Sequence, residues 1–243
     1  MEAARLQLEA ECRFLNSHTY ASFDAAVASS GARAPPWPSG PLDRVSSPVK
    51  GLTVLRSYLS PEEHDVLLAL ALEDKPRRPP RGSTNLCVTC PQIPTLEWYV
   101  VLRSVCERLR RDVGLPHMPG TLTLNYYEAH EGLRAHTDNP LVIAELVIGL
   151  SLASPCVMEW AHAGGERWAV VLEPGTVVIQ QGEARYDWTH AIPPGEVHAR
   201  PGGGEPIVRS ARVSVQLSDF DRRFFESEMV QRQRLDVGAP DGQ

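Results

Sequence analysis

Three side chains in the second half of the 243-residue chain could together bind one metal ion. His136 and Asp138 are separated by one residue, and on an extended segment residues i and i+2 point the same way, roughly 7 Å apart. His190, much farther along the chain, can supply a third ligand. Two histidines and one carboxylate on one face of an ion leave the other coordination positions open, as in non-haem Fe(II) oxygenases. The spacing therefore indicates an iron site to which a co-substrate and O₂ have access.

The triad by itself leaves a second interpretation open. The chain contains eight histidines, so His136 and His190 could also be ordinary surface histidines or hydrogen-bonded histidines of the core. A His-x-Asp tripeptide arises easily by chance, and a metal site is better indicated when a β-rich frame surrounds the tripeptide. The residues around the triad therefore have to decide between a metal site and ordinary histidines.

Four segments around the triad have patterns typical of one enzyme family. They are residues 125–138, which contain Asn-x-Tyr followed by Gly-Leu-x-x-His-x-Asp, residues 185–192 around the second histidine, the turn 174–178, and residues 212–215. In order and spacing these segments resemble the AlkB-like 2-oxoglutarate- and Fe(II)-dependent dioxygenases. The resemblance covers the chain from about residue 51 to residue 218.

The resemblance implies a role for each candidate residue. His136, Asp138 and His190 would bind Fe(II), and Asn125, Tyr127, Arg212 and Ser214 would bind 2-oxoglutarate. A guanidinium such as that of Arg212 suits the far carboxylate of 2-oxoglutarate, because it can donate two parallel N–H bonds. Ser214 lies two residues further, on the same face of the strand. The cofactors implied are Fe(II), 2-oxoglutarate as co-substrate, and O₂, which carry the difficult chemistry.

Two positions depart from the family pattern. The family often has a second arginine six residues after the first, and here that position is Ser218. Arg209 and Arg222 are the nearest alternatives. The usual glycine in the loop before His-x-Asp is His130 here, which we interpret as a loop residue, with a substrate contact as the alternative. The anchoring of the co-substrate and the level of activity therefore stay open.

From Thr121 onward, apolar residues alternate with a period of two, which is typical of strands. The predicted strands are 121–127, 143–153, 156–160, 167–172, 176–181 and 208–217, separated by turns rich in Pro and Gly. Many short strands at even spacing are typical of a sandwich, a jelly roll or a barrel. Together with the family resemblance, they predict a mainly β (α+β) fold: a double-stranded β-helix (jelly roll) core with N-terminal supporting helices.

The first half of the chain is expected to support this core. The sequence Ser60-Pro-Glu-Glu63 predicts a helix start, because Ser60 can cap, the proline suits the first turn and Glu63 completes a capping box. Further predictions are helices over 2–15 and 96–113, a strand over 51–59, and a linker or extended surface segment over 29–48. The expected domains are an N-terminal helix with a Pro-rich linker over 1–50, a dioxygenase domain over 51–220, and a tail over 221–243.

The substrate is less constrained than the chemistry. The net charge is −6 and the pI about 5.8, whereas proteins that depend on phosphate contacts are usually basic. Contact with nucleic acid would therefore be local, for example through Arg77, Arg78 and Arg81 in the segment 77–97 before the core. The alternative for this segment is a solvated polar loop, which the acidic total charge favours. Because the family includes demethylases of alkylated bases, we expect demethylation or hydroxylation of a modified nucleobase, in RNA in preference to DNA. The alternatives are a hydroxylase of a protein or small molecule, and a catalytically weak scaffold, which Ser218 suggests.

The expected compartment is the cytoplasm or the nucleus. Acidic residues at positions 2, 9 and 11 without an apolar stretch argue against a secretory or transit peptide. No run of residues approaches the roughly 20 apolar residues of a membrane span, so no membrane partner is expected. Five scattered cysteines favour a reducing compartment. The expected partner is RNA or DNA bearing alkylated bases, and the oligomeric state is left open.

Several other residues of chemical interest are expected to have ordinary roles. Cys87 and Cys90 have the spacing of a metal or redox pair, but no second pair accompanies them, so we interpret the spacing as coincidence. We expect core or sheet-face packing for Trp160, Trp168 and Trp188, and surface positions for His162 and His198.

Overall fold

The computed structural model describes residues 25, 27–29, 31, 33–35, 37, 40–75, 86–90 and 93–221, with the backbone alone for 86–90. The helix predicted over 2–15, the tail from residue 222, and the three arginines at 77, 78 and 81 lie outside the described residues. The division of the chain into three parts therefore stays a prediction.

Two antiparallel sheets form the core. The strands are β1 (Asp43–Val45), β2 (Leu52–Arg56), β3 (Leu86–Cys90), β4 (Thr121–Tyr127), β5 (Leu133–His136), β6 (Ile143–Leu152), β7 (Cys156–His162), β8 (Arg167–Leu172), β9 (Val177–Gln180), β10 (Trp188–Ile192), β11 (Val197–His198), β12 (Ile207–Val208) and β13 (Arg212–Phe220). The major sheet has the order β1-β2-β9-β6-β13-β4-β3, and the minor sheet has the order β5-β10-β7-β8. β11 pairs with β12 as a separate hairpin.

From β4 onward the chain passes back and forth between the two sheets. β4, β6, β9 and β13 belong to the major sheet, whereas β5, β7, β8 and β10 belong to the minor sheet. The inner faces of the two sheets enclose a hydrophobic core around the fully buried Trp160, separate from the core that the helices share with the major sheet. This two-sheet arrangement confirms the predicted mainly β jelly roll.

The helices are α1 (Pro61–Glu73), α2 (Leu96–Val113) and the one-turn α3 (Gly182–Tyr186). The capping box at the start of α1 is confirmed: the Ser60 hydroxyl accepts from the Glu63 N–H, and the Glu63 carboxylate accepts from the Ser60 N–H. α2 ends at Gly114, whose φ of 72° is left-handed. Apolar side chains of α1 and α2 share one core with the major sheet. Of the helices in this described part of the chain, none is long and apolar enough to cross a membrane.

The described strands differ from the sequence predictions in three ways. Asp43–Val45 lies within the predicted linker, yet its backbone pairs with β2 at the edge of the major sheet. The single strand predicted over 208–217 is two strands, because the Arg209 N–H donates to the Glu196 carbonyl and the Ser210 N–H donates to the Ser154 hydroxyl. These bonds take the backbone out of the sheet ladder until Arg212. β3 and β5 fall outside all of the predicted strands, because both are short and lack strong alternation of apolar and polar residues.

A buried ion pair connects α1 to α2 behind the major sheet. The Arg108 guanidinium donates to both Glu63 carboxylate oxygens at 2.8 Å, and also to the Tyr58 carbonyl at 2.9 Å. Both side chains are almost completely excluded from solvent. Removal of one member of such a pair leaves the other charge buried and uncompensated, which is strongly destabilising.

We therefore expect Glu63→Gln to lower the free energy of unfolding by about 3 kcal/mol. Urea denaturation would measure the loss. The matched control is Glu107→Gln, which breaks the exposed pair between Arg103 and Glu107 on α2 and should change stability little. Equal effects of the two substitutions would contradict the importance of the buried pair.

Candidate active site

The predicted triad comes together at one end of the minor sheet. β5 and β10 are antiparallel neighbours in which His136 and His190 are direct partners, so both imidazoles project to the same face. Their ring centroids are 4.3 Å apart. The Asp138 carboxylate follows β5 and lies 3.6 Å from Nε2 of His136. One possible ligand atom from each of the three side chains lies within 4.8 Å of the others, a spacing that fits one metal ion.

The hydrogen bonds of His136 present the correct ring nitrogen to this ion. Its Nδ1 is 2.9 Å from the Arg134 carbonyl oxygen, which can only accept, so Nδ1 carries the proton. Nε2 is left with its lone pair on the side of Asp138. A backbone acceptor of this kind fixes both the tautomer and the orientation of a metal-binding imidazole.

Burial and neighbouring groups shift the pKa values of all three triad residues. Burial lowers the pKa of His190 to about 4, so its imidazole is neutral at pH 7. Burial alone would raise the pKa of Asp138, but the neighbouring His136 and the charge of Arg185 outweigh it, and the pKa is lowered. The neighbouring Asp138 carboxylate is the main reason that the pKa of His136 is raised, which favours the protonated form of His136 until a metal ion displaces the proton.

The triad faces a cavity of about 280 Å³ between the two sheets. All seven residues predicted for iron and co-substrate contribute to its lining, namely His136, Asp138 and His190 with Asn125, Tyr127, Arg212 and Ser214. β4 and β13 are paired so that Arg212 lies beside Tyr127 and Ser214 lies beside Asn125. The residues proposed for the co-substrate therefore form one polar patch on the major sheet, and the triad projects from the minor sheet.

Arg212 is a buried cation with unused hydrogen-bond donors. Its side chain is 3% exposed, and one terminal nitrogen donates to the Ser151 hydroxyl at 2.8 Å. Among the described residues, its Nε and Nη1 have no hydrogen-bond partner. Unsatisfied buried donors are costly, and a carboxylate in the cavity would accept a charge-assisted hydrogen bond from one of them. The residues present thus fit an anionic co-substrate.

Apart from Arg212, the described residues that line the cavity include no arginine or lysine that could replace the family's second arginine. Ser218 is buried on β13 between Thr121 and Val147 and is not part of the cavity lining. Arg209 is also buried, but its Nη1 donates to backbone carbonyls, and it does not line the cavity either. Arg222 lies outside the described residues.

Sequence reasoning missed several residues of the cavity wall. Gln216 lies two residues beyond Ser214 on the same face of β13, so the period of two could have identified it. Ser151 is a polar residue among the apolar residues near the end of β6, and Gln180 accepts a hydrogen bond from the Trp160 indole N–H at 3.3 Å. No local sequence signal predicts that Arg185, on the one-turn helix, hydrogen-bonds the backbone next to Asp138.

A glycine of the family-like signature has a clear steric role. A Cβ atom on Gly132 would lie 2.4 Å from the Ile192 carbonyl oxygen and 2.7 Å from the backbone nitrogen of Pro194. The loop before β5 therefore approaches the end of β10 closely, which only glycine permits. His130, in the same loop, is exposed and accepts a hydrogen bond from the Gly195 N–H through its carbonyl, as expected for a loop residue.

The prediction for His198 was wrong. This histidine is 4% exposed, and its Nδ1 accepts from the Val157 N–H at 3.0 Å. Its Nε2 then donates to the Pro193 carbonyl at 2.8 Å, and this pairing specifies a neutral, structural histidine. His162 is partly exposed beside Glu166.

The packing predicted for the tryptophans is confirmed. Trp160 is fully buried, Trp188 is nearly so, and the Trp168 ring lies 5.4 Å from that of Trp160. Cys87 and Cys90 lie on β3, where the side chains are outside the described part of the chain. Their interpretation as a coincidental pair stays a prediction.

Comparison with known families gives one match that spans the site. The sequence model of the 2OG-Fe(II) oxygenase superfamily matches residues 90–217. This region begins at the last residue of β3, ends within β13, and contains all seven predicted site residues. It also covers more than half of the chain.

Two curated relatives and one solved structure illustrate the similarity. Over 94 residues the chain is 37% identical to the tRNA (carboxymethyluridine(34)-5-O)-methyltransferase ALKBH8 of Mus musculus, covering 39% of this chain and 14% of that protein. Over 85 residues it is 38% identical to the alpha-ketoglutarate-dependent dioxygenase alkB homolog 7, mitochondrial, of Bos taurus, covering 34% and 38% of the two chains. These relatives confirm the AlkB-like resemblance, although the chain spans well under half of either one. The structure of OsALKBH1 covers 69% of this chain and 97% of its own, with a TM-score of 0.49 and 16% identity.

Proposed function

The chain belongs to the 2OG-Fe(II) oxygenase superfamily, and from this premise we propose that it demethylates or hydroxylates a modified nucleobase, in RNA in preference to DNA. It is a dioxygenase that uses Fe(II), 2-oxoglutarate and O₂. The main support for this proposal is that the triad and the unpaired N–H groups of Arg212 line the same cavity.

The iron, when bound, supplies the oxidising chemistry together with 2-oxoglutarate and O₂. In our proposal His136, Asp138 and His190 hold it from the minor sheet, with His136 oriented by the Arg134 carbonyl. The ionised form of Asp138 and the neutral form of His190 are ready to bind without losing a proton at pH 7.

The major sheet binds and orients the co-substrate in this proposal. Arg212 donates an unused N–H group to the far carboxylate, and the Ser151 hydroxyl keeps the guanidinium in place. Asn125, Tyr127 and Ser214 add hydrogen bonds from the neighbouring positions of β4 and β13. Arg212 is buried, and a low local dielectric strengthens the interaction of its charge with a carboxylate.

Two observations support a nucleobase as the substrate. The ALKBH8 relative carries a tRNA-modifying activity in its name. The cavity wall also contains the amides of Gln180 and Gln216, which combine donors and acceptors without charge. Groups of this kind suit the hydrogen-bonding edge of a base that has been flipped out of its stack.

Succinate release tests the proposal. Purified protein with Fe(II), ascorbate, O₂ and 2-oxoglutarate should release succinate faster when a methylated RNA oligonucleotide is added than with the same oligonucleotide unmethylated. A methylated DNA oligonucleotide of matched sequence tests the preference for RNA. The His136→Ala variant provides the background rate. No stimulation by either methylated oligonucleotide would contradict the nucleobase proposal.

A hydroxylase of a protein or small molecule is the second candidate, and the net charge of −6 favours it. Binding of phosphates depends steeply on salt because counterions are released. A gel shift with RNA and DNA at low and moderate salt therefore separates the two candidates. Absence of any complex at low salt would favour the hydroxylase over the nucleobase enzyme.

A further inference from the structure

Arg185 is a buried arginine whose hydrogen bonds all converge on one short segment of backbone. Its side chain is 2% exposed. Nη1 donates to the Asp138 carbonyl at 2.9 Å, Nη2 to the Ile143 carbonyl at 2.7 Å, and Nε to the Ala144 carbonyl at 3.1 Å. None of these acceptors is a carboxylate, so the guanidinium binds backbone where an ion pair would be usual for a buried cation.

The segment it binds is the turn that follows the metal-binding aspartate. Asp138 lies after the last residue of β5, whereas His136 and His190 are held by strand pairing. The turn is compact, because the Asn139 carbonyl accepts from the N–H groups of Val142 and Ile143. Arg185 donates to carbonyls at the start and at the end of this turn, and so connects its two ends.

Arg185 also connects the turn to the strand of the third ligand. It lies on α3, and β10 begins two residues after that one-turn helix ends. A rigid guanidinium with donors on three nitrogens can hold three carbonyls at once, which a lysine ammonium cannot do in the same geometry. The side chain therefore links the segment that carries Asp138 to the segment that carries His190.

We propose that Arg185 is a positioning residue that fixes the Asp138 carboxylate for metal binding by holding the backbone on both sides of the turn 138–143. This inference rests on the proposed function, since it assumes that the triad binds iron. Ligand geometry must be accurate for tight binding, and loss of groups that orient metal ligands typically lowers metal affinity by about 10- to 100-fold.

The test is Mn(II) binding, followed by the loss of the free-ion electron paramagnetic resonance signal, without co-substrate or turnover. Arg185→Met keeps an unbranched side chain that replaces the aliphatic part of arginine and removes its donors, and we expect it to raise the Kd for Mn(II) by about 10-fold or more. Arg185→Lys should recover part of the affinity, because one ammonium can still reach one carbonyl. If the Met variant does not fold, the Lys variant alone should show weaker binding than the wild type.

Arg209→Met is the matched control. Arg209 is likewise a buried arginine that donates to three backbone carbonyls, those of Glu131, Pro193 and Gly195, none of which belongs to a ligand. We expect this variant to lose thermal stability in the metal-free form while keeping its affinity for Mn(II). An equal loss of affinity in the Arg209 variant, or wild-type affinity in Arg185→Met, would overturn the positioning role and leave the proposed function intact. A wild-type protein that binds no Mn(II) would instead overturn the proposed function itself.

Discussion

Substitution of His136 by alanine is expected to abolish turnover of 2-oxoglutarate and to lower the affinity for Fe(II) by at least about 100-fold, since even groups that only orient a ligand cost 10- to 100-fold. His136 and His190 are direct partners on adjacent strands, so no neighbouring side chain can take over the vacated position without moving the strand. The remaining two ligands would hold an ion far more weakly.

Two measurements check this expectation. Fe(II) or Mn(II) titration gives the affinity, and succinate release in the absence of a prime substrate gives the turnover. The control is His117→Ala, because His117 is an exposed histidine that contacts Asp219 and does not line the cavity. Residual metal affinity in His136→Ala close to that of the wild type would mean that the triad is not the metal site.

The second large effect is expected at Arg212. Removal of one member of a buried, hydrogen-bonded charge pair costs about 2–5 kcal/mol, and each 1.4 kcal/mol is a factor of ten. Arg212→Met should therefore raise the KM for 2-oxoglutarate by about 30-fold or more. Arg212→Lys should give an intermediate value, because it keeps the charge and loses the planar guanidinium.

The position of Arg212 allows this effect to be separated from metal binding. Arg212 lies on β13 of the major sheet and the triad lies at the minor sheet, so Mn(II) affinity should be unchanged in Arg212→Met. Arg209→Met again serves as the control, since Arg209 is close in sequence, buried, and absent from the cavity lining. A normal KM in Arg212→Met together with a raised KM in Arg209→Met would transfer the co-substrate role to Arg209.

Ser218 makes the Arg212 experiment informative for the family as well. With Ser218 buried and outside the cavity lining, Arg212 is the one arginine that lines this cavity in the part of the chain that the structure describes. We infer that co-substrate anchoring depends more on this single side chain than it would in a relative with two arginines. The catalytically weak scaffold would be favoured if the wild type itself failed to turn over 2-oxoglutarate.

The sequence by itself determined those features whose signals are local. The start of α1 follows from the side chains of Ser60 and Glu63, which satisfy each other's backbone within one turn. The seven predicted site residues follow from the resemblance of four short segments to the AlkB-like family, and residues two apart on a strand, such as Arg212 and Ser214, share the face that lines the cavity. Alternation over many short segments predicted a sandwich, a jelly roll or a barrel, and the family resemblance selected the jelly roll among them.

Only the tertiary structure decided the features that depend on contacts between distant segments. The burial of His198 requires a hydrogen bond from Val157 on another strand, and the break between β12 and β13 requires acceptors at Glu196 and Ser154. The contact of Arg185 with the backbone of Asp138 likewise joins residues that are far apart in the chain. Hydrogen bonds of this kind leave no periodicity in either segment, because each partner's position is set by the packing of the whole sandwich.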